Sequence, residues 1–491
     1  MDDIRSLDPA IGYDVTSWSF EYMVFNGLVD YGKETEIIPK IAESLPEVSQ
    51  DGKVYTFRLK RGVRFHNGRE VTAQDFKYSI ERILDPATTS PGAQFFTLIE
   101  GVKAFREKKA KEVAGIVAKD PYTLTFRLLH PDLTFLHILA MPFAFVVPKE
   151  EVAQWGKDFS HHAVGTGPFR LKEWKIKEKV TFERNPDYFI KGEPYLDGIE
   201  LKVGVNDQLR WMQFEKGEID LSDIPSTEYV RVSSDPKYKD LIDRGSTLTI
   251  FYICMNCQMK PFDNVKVRQA MNYAIDRKRL VMLLNNRAEI ATGILPPKMP
   301  GYNPDLKGYP HDPAKARQLL KEAGYPDGFR MTLWVHSDLT YQKLGQAVQE
   351  DLKKVGIQAT LKPTAYNALL DAIGRPKTVQ AFYWRWVLDF PDPSDFLDVL
   401  FNSNQIAQVN SNNNAFYSNP ESDKLLNQAR SMTDPSERFK VYQQAEAIIM
   451  RDAPWVCLYY PISTVAHSAR VRGHYIHPVR PTIYDRLWLA E

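Results

Sequence analysis

MTLWV at 331–335, IQATL at 357–361 and VQAFYWRW at 379–386 decide the fold. Between the first two runs, Tyr341–Val355 has helical spacing and closes on Gly356; between the last two, Ala365–Ile373 does the same. Strand, helix, strand, helix, strand is the pattern of a parallel α/β layer. Upstream, Asp312-Pro313 reads as an N-cap followed by proline at the first helical position, with Gly324 where a C′ glycine belongs. Asp263-Asn264 opens another helix, whose apolar face is Val267, Ala270, Met271, Ala274 and Ile275. Downstream, Asp434-Pro435 caps a long helix reaching Met450, and WVCLYY (455–460) is a further strand.

The first third differs. KVYTFRL (53–59) and YTLTFRL (122–128) alternate as antiparallel strands do, and Thr72 begins a capping pattern before a helix over 73–83. In 163–203, Thr166-Gly167-Pro168 breaks the chain, Phe169–Trp174 and Lys179–Arg184 read as a hairpin, and IELKVGV (199–205) as a strand. The spacing of Leu209, Met212 and Phe214 predicts a helix ending at Gly217. From these shifts we expect lobe I to comprise 1–35, 163–248 and 462–491, an extra α+β subdomain 36–162, and an α/β lobe II 249–461. Two crossings would then join the lobes and allow hinge closure.

Composition excludes several classes. The 491 residues carry 63 Lys plus Arg against 62 Asp plus Glu, so net charge supplies no pull toward nucleic acid or anionic lipid. Aromatics at 12% exclude a largely disordered chain. Three cysteines, Cys254, Cys257 and Cys457, exclude a disulfide-stapled scaffold. The longest apolar run, AMPFAFVVP (140–148), is too short to span a bilayer. Met1 is followed by Asp2 and Asp3, the wrong charge for the start of a signal peptide.

Enzyme signatures are missing: there is no Walker A loop, G-x-S-x-G or H-E-x-x-H. Gly165-Thr166-Gly167-Pro168 precedes a strand rather than a helix N-terminus, which favours a turn over a phosphate cradle. Cys254-Met255-Asn256-Cys257 follows strand-like residues, so buried thiols are expected rather than a redox pair, and a zinc site would need two more ligands. The paired His161-His162 and His474 with His477 read as surface residues, and no metal or cofactor is expected. The aromatic strand ends in Trp386-Val387-Leu388-Asp389-Phe390-Pro391-Asp392-Pro393. Two readings are open there. One is a core strand running into a proline turn with Asp392 as a cap. The other is a cation site, with Asp389 at the carboxyl end of the strand walled by Trp386 and Tyr383.

Four stretches together resemble the dipeptide- and oligopeptide-binding family of ABC-transporter solute-binding proteins, family 5. They are Ile41–Ser44 with Tyr55–Gly68 and Val71–Phe76; Gly165–Phe169 with Arg184–Phe189; Pro261–Asn264 with Val267–Ala270 and Tyr273–Arg277; and Trp386–Pro393. The resemblance implies a two-lobed periplasmic-binding-protein fold of type II with an extra subdomain and a ligand cleft between the lobes. It implies a monomeric, non-catalytic receptor that captures short peptides and hands them to a membrane permease, in the periplasm or otherwise outside the cytoplasm. A trimmed or mis-assigned N-terminus would account for the missing signal.

By the same resemblance, Trp386-Val387-Leu388-Asp389 matches a Trp-x-x-Asp pattern whose aspartate pairs with the peptide α-ammonium. The backbone of Arg385 and Val387 would bond the extended ligand, and Gly12-Tyr13-Asp14-Val15 would supply the opposing backbone. One departure stands against a dedicated dipeptide binder: His336-Ser337-Asp338-Leu339-Thr340 has no arginine where dipeptide-binding members hold the ligand carboxylate. Relatives also carry oligosaccharides, opines and metal chelates. A hydrolase using Asp389 with a second carboxylate is the alternative from another class.

Overall fold

Helix capping accounts for most of the predicted helices. The computed structural model describes residues 4–480 and 483–490; Met1, Asp2 and Asp3, read above for charge, lie outside it. The chain divides into two units, one of residues 1–245 with 464–491 and the other of residues 246–463.

In the first unit, Asp14 accepts the Ser17 N–H at 2.9 Å and opens helix α1 (Val15–Val24). The short strand β1 (Glu47–Val48) pairs with β2 (Val54–Arg58). Thr72 and Asp75 form the predicted capping box of α2 (Ala73–Leu84). Strands β3 (Ile116–Asp120) and β4 (Thr123–Arg127) complete an antiparallel sheet in the order β1-β2-β4-β3. The predicted hairpin is β5 (Phe169–Lys175) with β6 (Lys179–Arg184), extended by β7 (Gly198–Lys202). Strand β8 (Leu221–Asp223) follows.

The Gly165–Pro168 stretch is a packing device. A Cβ on Gly165 would fall 2.1 Å from the Val24 carbonyl oxygen, and one on Gly167 would fall 2.3 Å from that of Met23. Only glycines let this turn lie on the end of α1. His66 ties it down: its Nδ1 accepts the Gly165 N–H at 3.3 Å and its Nε2 donates to the Gly167 carbonyl at 3.0 Å. Burial pushes the His66 pKa down to about 4, so the ring is neutral and fits both roles.

In the second unit, β9 (Thr249–Met255) leads to α3 (Val265–Ala274), capped by Asn264. After a short helix (Arg277–Leu283) and a short strand (Ala288–Ile290) come α4 (Pro313–Glu322), β10 (Arg330–His336), α5 (Leu339–Lys353), β11 (Gln358–Thr364), α6 (Tyr366–Ile373) and β12 (Ala381–Val387). Helices α7 (Pro393–Phe401), α8 (Pro420–Ser431) and α9 (Pro435–Asp452) precede β13 (Trp455–His467). Asp312 and Asp434 cap α4 and α9 as predicted, and Gly324 has the left-handed φ of +89°.

Strands β10, β11 and β12 are parallel, as the alternation predicts. The sheet is nevertheless mixed. Strand β9 pairs antiparallel with β12 on one side and β13 on the other, giving the order β13-β9-β12-β10-β11. The predicted face of α3 is wholly buried against this sheet. The last residues of β13, Val465–His467, belong to the first unit and pair with β8.

Candidate functional site

The register of β12 determines what its backbone can offer. Leu388 donates its N–H to the Leu248 carbonyl at 3.2 Å, continuing the antiparallel pairing in which Val387 faces Thr249. In such a ladder alternate residues bond the partner. Residues 384, 386 and 388 therefore face β9, and the N–H and C=O groups of Arg385 and Val387 point to the opposite edge. There β10 pairs only with Ala381–Tyr383, because it ends at His336 and turns into α5. Beside Arg385 and Val387 that edge has no strand partner among the described residues.

Side chains alternate as well. Phe382, Trp384 and Trp386 share one face, and Tyr383, Arg385 and Val387 the other. Tyr383 is buried, and its hydroxyl meets that of Tyr459 at 2.6 Å. The expectation that Tyr383 and Trp386 together wall Asp389 is therefore corrected. They lie on opposite faces of the strand, and Tyr383 belongs to the core. Arg385 is exposed, while Trp386, Val387 and Asp389 are half-buried.

Beyond the strand, Asp392 and Pro393 open α7. The Asp392 carboxylate accepts the Ser394 N–H at 2.9 Å and both terminal nitrogens of Arg438 from α9, at 2.6 and 2.8 Å. Burial alone would push this carboxyl up, but the guanidinium outweighs burial and holds it below its usual range. Asp392 is thus a cap, as one reading allowed.

Sequence reasoning missed Asp395, in the first turn of α7. It is wholly buried, and its Oδ2 accepts the Asp389 N–H at 3.0 Å and the Trp386 indole N–H at 3.3 Å. Burial, and then the nearby Asp389 charge, push its pKa well up. Its one signal in the sequence is an acid in a first helical turn, which ordinarily reads as a surface residue favoured by the helix dipole.

The second predicted group lies in the first unit. Gly12 is buried, its N–H donates to the Asp8 carbonyl at 2.9 Å, and its carbonyl accepts the Trp18 indole N–H at 3.0 Å. Gly12 therefore spends its backbone within its own segment, contrary to the expectation that it bonds a ligand. Val15 is likewise not extended: it is the first residue of α1, and its carbonyl accepts the Ser19 hydroxyl at 2.7 Å. Tyr13 packs its ring against Trp18, Phe95 and Phe143, with centroids 5.4–6.4 Å away, and is 39% exposed. Beneath Gly12 lies Glu21, buried with neither carboxyl oxygen hydrogen-bonded. Burial, then Asp8 and Asp14, raise its pKa well above the carboxylate range. No sequence pattern marked it.

The cysteines are free thiols. Burial pushes Cys257 up to about 11 and Cys457 to about 12, and Cys254 rises as well, so none is a thiolate near neutrality. Among the described residues no group of three or more His, Cys, Asp and Glu is placed to hold a metal, and no helix is long and apolar enough to cross a membrane.

The profile of the bacterial extracellular solute-binding proteins, family 5, matches residues 36–408. The chain belongs to that family. The glutathione-binding protein GsiB of Escherichia coli O1:K1 / APEC is 34% identical over 484 residues, covering 97% of this chain and 91% of that relative. The periplasmic binding protein DppA from Helicobacter pylori, solved with the peptide STSA, is 30% identical with a TM-score of 0.84, over 100% of this chain and 97% of that one. The clavulanic acid biosynthesis oligopeptide binding protein 2 gives a TM-score of 0.90 at 26% identity, over 100% and 94%. The fold is thus the two-lobed α/β fold of these binding proteins, and the family is one of solute receptors.

Proposed function

We propose that the protein is the substrate-binding receptor of an ABC importer and that it binds short peptides bearing a free α-amino group. One observation carries the reading. The unpaired edge at Arg385 and Val387 presents backbone donors and acceptors to an added strand, and Asp389 stands where that edge ends. Main-chain bonds of this kind give affinity irrespective of side chains, and a carboxylate fixes which end of the ligand lies there. Trp386 is the aromatic contact in this reading. Tyr383 stays in the core, and Gly12 and Val15 shape the segment rather than bond the ligand. The glutathione-binding and peptide-bound relatives support a ligand of a few residues.

The same reading makes the protein a non-catalytic monomer outside the cytoplasm, delivering its ligand to membrane permease subunits, with 36–162 as a subdomain of the first lobe. An ammonium paired with Asp389 away from water costs about 2–5 kcal/mol when one partner is removed. At about 1.4 kcal/mol per tenfold, Asp389→Asn should weaken free-amine peptides by roughly 30-fold to several thousand-fold in calorimetric titration. N-acetylating the peptide should cost the wild type a similar factor, and the two changes together much less than their sum. If Asp389→Asn binds free-amine peptides as tightly as the wild type, the anchor is elsewhere.

A further inference from the structure

We propose that Asp395 is the positioning residue for the Asp389 anchor, and that it releases a proton when a ligand cation seats on Asp389. This rests on the reading of Asp389 given above and extends it one layer inward. Asp395 sits on a helix whose first turn is pinned by the buried Asp392–Arg438 pair. From there its Oδ2 holds two things at once, the Trp386 indole and the peptide N–H of Asp389 itself. The plane of the indole and the backbone from which the Asp389 side chain springs are thus set by one carboxyl group.

The other oxygen, Oδ1, is buried with no hydrogen-bond partner. A bare carboxylate oxygen there is costly, and a second negative charge stands nearby on Asp389. With two N–H donors occupying Oδ2, Oδ1 is the atom that carries the proton. The other charged groups that bear on Asp395 are already matched. Asp392 is bound by Arg438 from α9, and Asp398, one turn along α7, lies 3.4 Å from Arg430 of α8. A ligand ammonium adds a positive charge at Asp389, beside Asp395. That ammonium offsets the Asp389 charge, which after burial is the second cause that favours the protonated form of Asp395. The Oδ1–H bond then breaks and its proton passes to the solvent, and the site holds two carboxylates against one ligand cation.

The complex therefore binds fewer protons than the free protein. Affinity for amine-bearing ligands should rise with pH through the titration range of Asp395, up to about pH 8 where the ligand amine itself begins to lose its proton. A residue that merely supports the fold would not couple ligand binding to proton release.

The test uses the full chain with glutathione and trialanine, each in free-amine and N-acetylated form. Titration calorimetry at about pH 6 and about pH 7, where the ligand amine is protonated, in buffers of different ionisation enthalpy, counts protons released per ligand bound. For the wild type we expect a measurable proton release with free-amine ligands at the lower pH, and none with the acetylated ones. Asp395→Asn should abolish the release and weaken free-amine ligands by roughly tenfold, while changing the acetylated ligands little. If the Asn variant lacks the wild-type circular dichroism, Trp386→Phe serves instead. It removes one donor to the ionised Asp395 and should move the release window to higher pH. Equal release by the wild type and Asp395→Asn, or an unmoved window in Trp386→Phe, overturns the role of Asp395 alone. If acetylation makes no difference to the wild type, or no free-amine form binds, the Asp389 anchor fails and this inference falls with it.

Discussion

Arg438→Met removes the guanidinium that meets both oxygens of Asp392 and leaves a side chain that fills much of the same space. The charge is lost, and with it the Nε–H bond to the Ala429 carbonyl at 3.1 Å, while most of the packing is kept. The two side chains are 3% and 7% exposed, so water cannot replace the lost partner without opening the structure. Breaking a buried pair from one side costs about 3–5 kcal/mol, because the remaining charge is stranded. The cap from Asp392 to the Ser394 N–H survives, so the roughly 1 kcal/mol of a lost N-cap is not added. For a unit of this size each kcal/mol lowers the melting temperature by about 2–4 °C. The calorimetric transition of the second unit should therefore fall by about 6–20 °C. Asp392→Asn combined with Arg438→Met keeps a capping side chain and strands no charge, so it should recover most of the loss, a coupling that a double-mutant cycle measures directly. A melting temperature for Arg438→Met within about 2 °C of wild type would refute the claim that this pair pins the start of α7.

Two further outcomes follow from buried groups. Replacing Cys254 and Cys257 together with alanine should leave ligand affinity nearly unchanged, and thiol reagents should label the wild type at these positions only on unfolding; rapid labelling of the native protein would contradict the raised thiol pKa values. His66 takes up a proton at about 4 in the folded protein against about 6.5 ordinarily, so the unfolded chain binds more protons between those values and stability falls as pH drops through them, by up to roughly 3 kcal/mol. His66→Gln should flatten that part of the acid-denaturation profile, and an unchanged profile would show that His66 is not held neutral.

Local rules explain what was legible in the sequence. The Asp312, Asp434 and Asn264 caps, the capping box at Thr72 and the alternating runs at 54–58 and 123–127 are written within a few residues of where they act. The α/β layer was legible for the same reason, but its antiparallel members were not, since β9 and β13 come from distant parts of the chain. Helix α1 went unread because Asp14 looks like loop until its carboxylate is seen on the Ser17 N–H. Asp389 could be found because it ends a conspicuous aromatic strand. Asp395 and Glu21 could not, since an acid in a helical turn gives no sign of burial, and only tertiary packing removes them from water. The failure with Tyr383 was one of parity: a strand sends residues three apart to opposite faces.

The first unit is discontinuous, and this bears on the order in which the molecule can be made. Residues 246–463 form one uninterrupted run, whereas the first unit draws on 464–491 to finish what 1–245 began. Its core includes Val471, Tyr484 and Leu487 beside Ile4, Leu7 and Phe20. Buried Asp30 and Lys40 lie 3.6 Å from each other and reach their further partners Arg480 and Asp485 only in the tail. A chain emerging from the ribosome at about 5–20 residues per second has its second unit complete while the first still lacks its closing residues and half of a buried charge cluster. Truncation after Ser463 would leave the first unit open at both its core and its charges, and the second with every residue of its own.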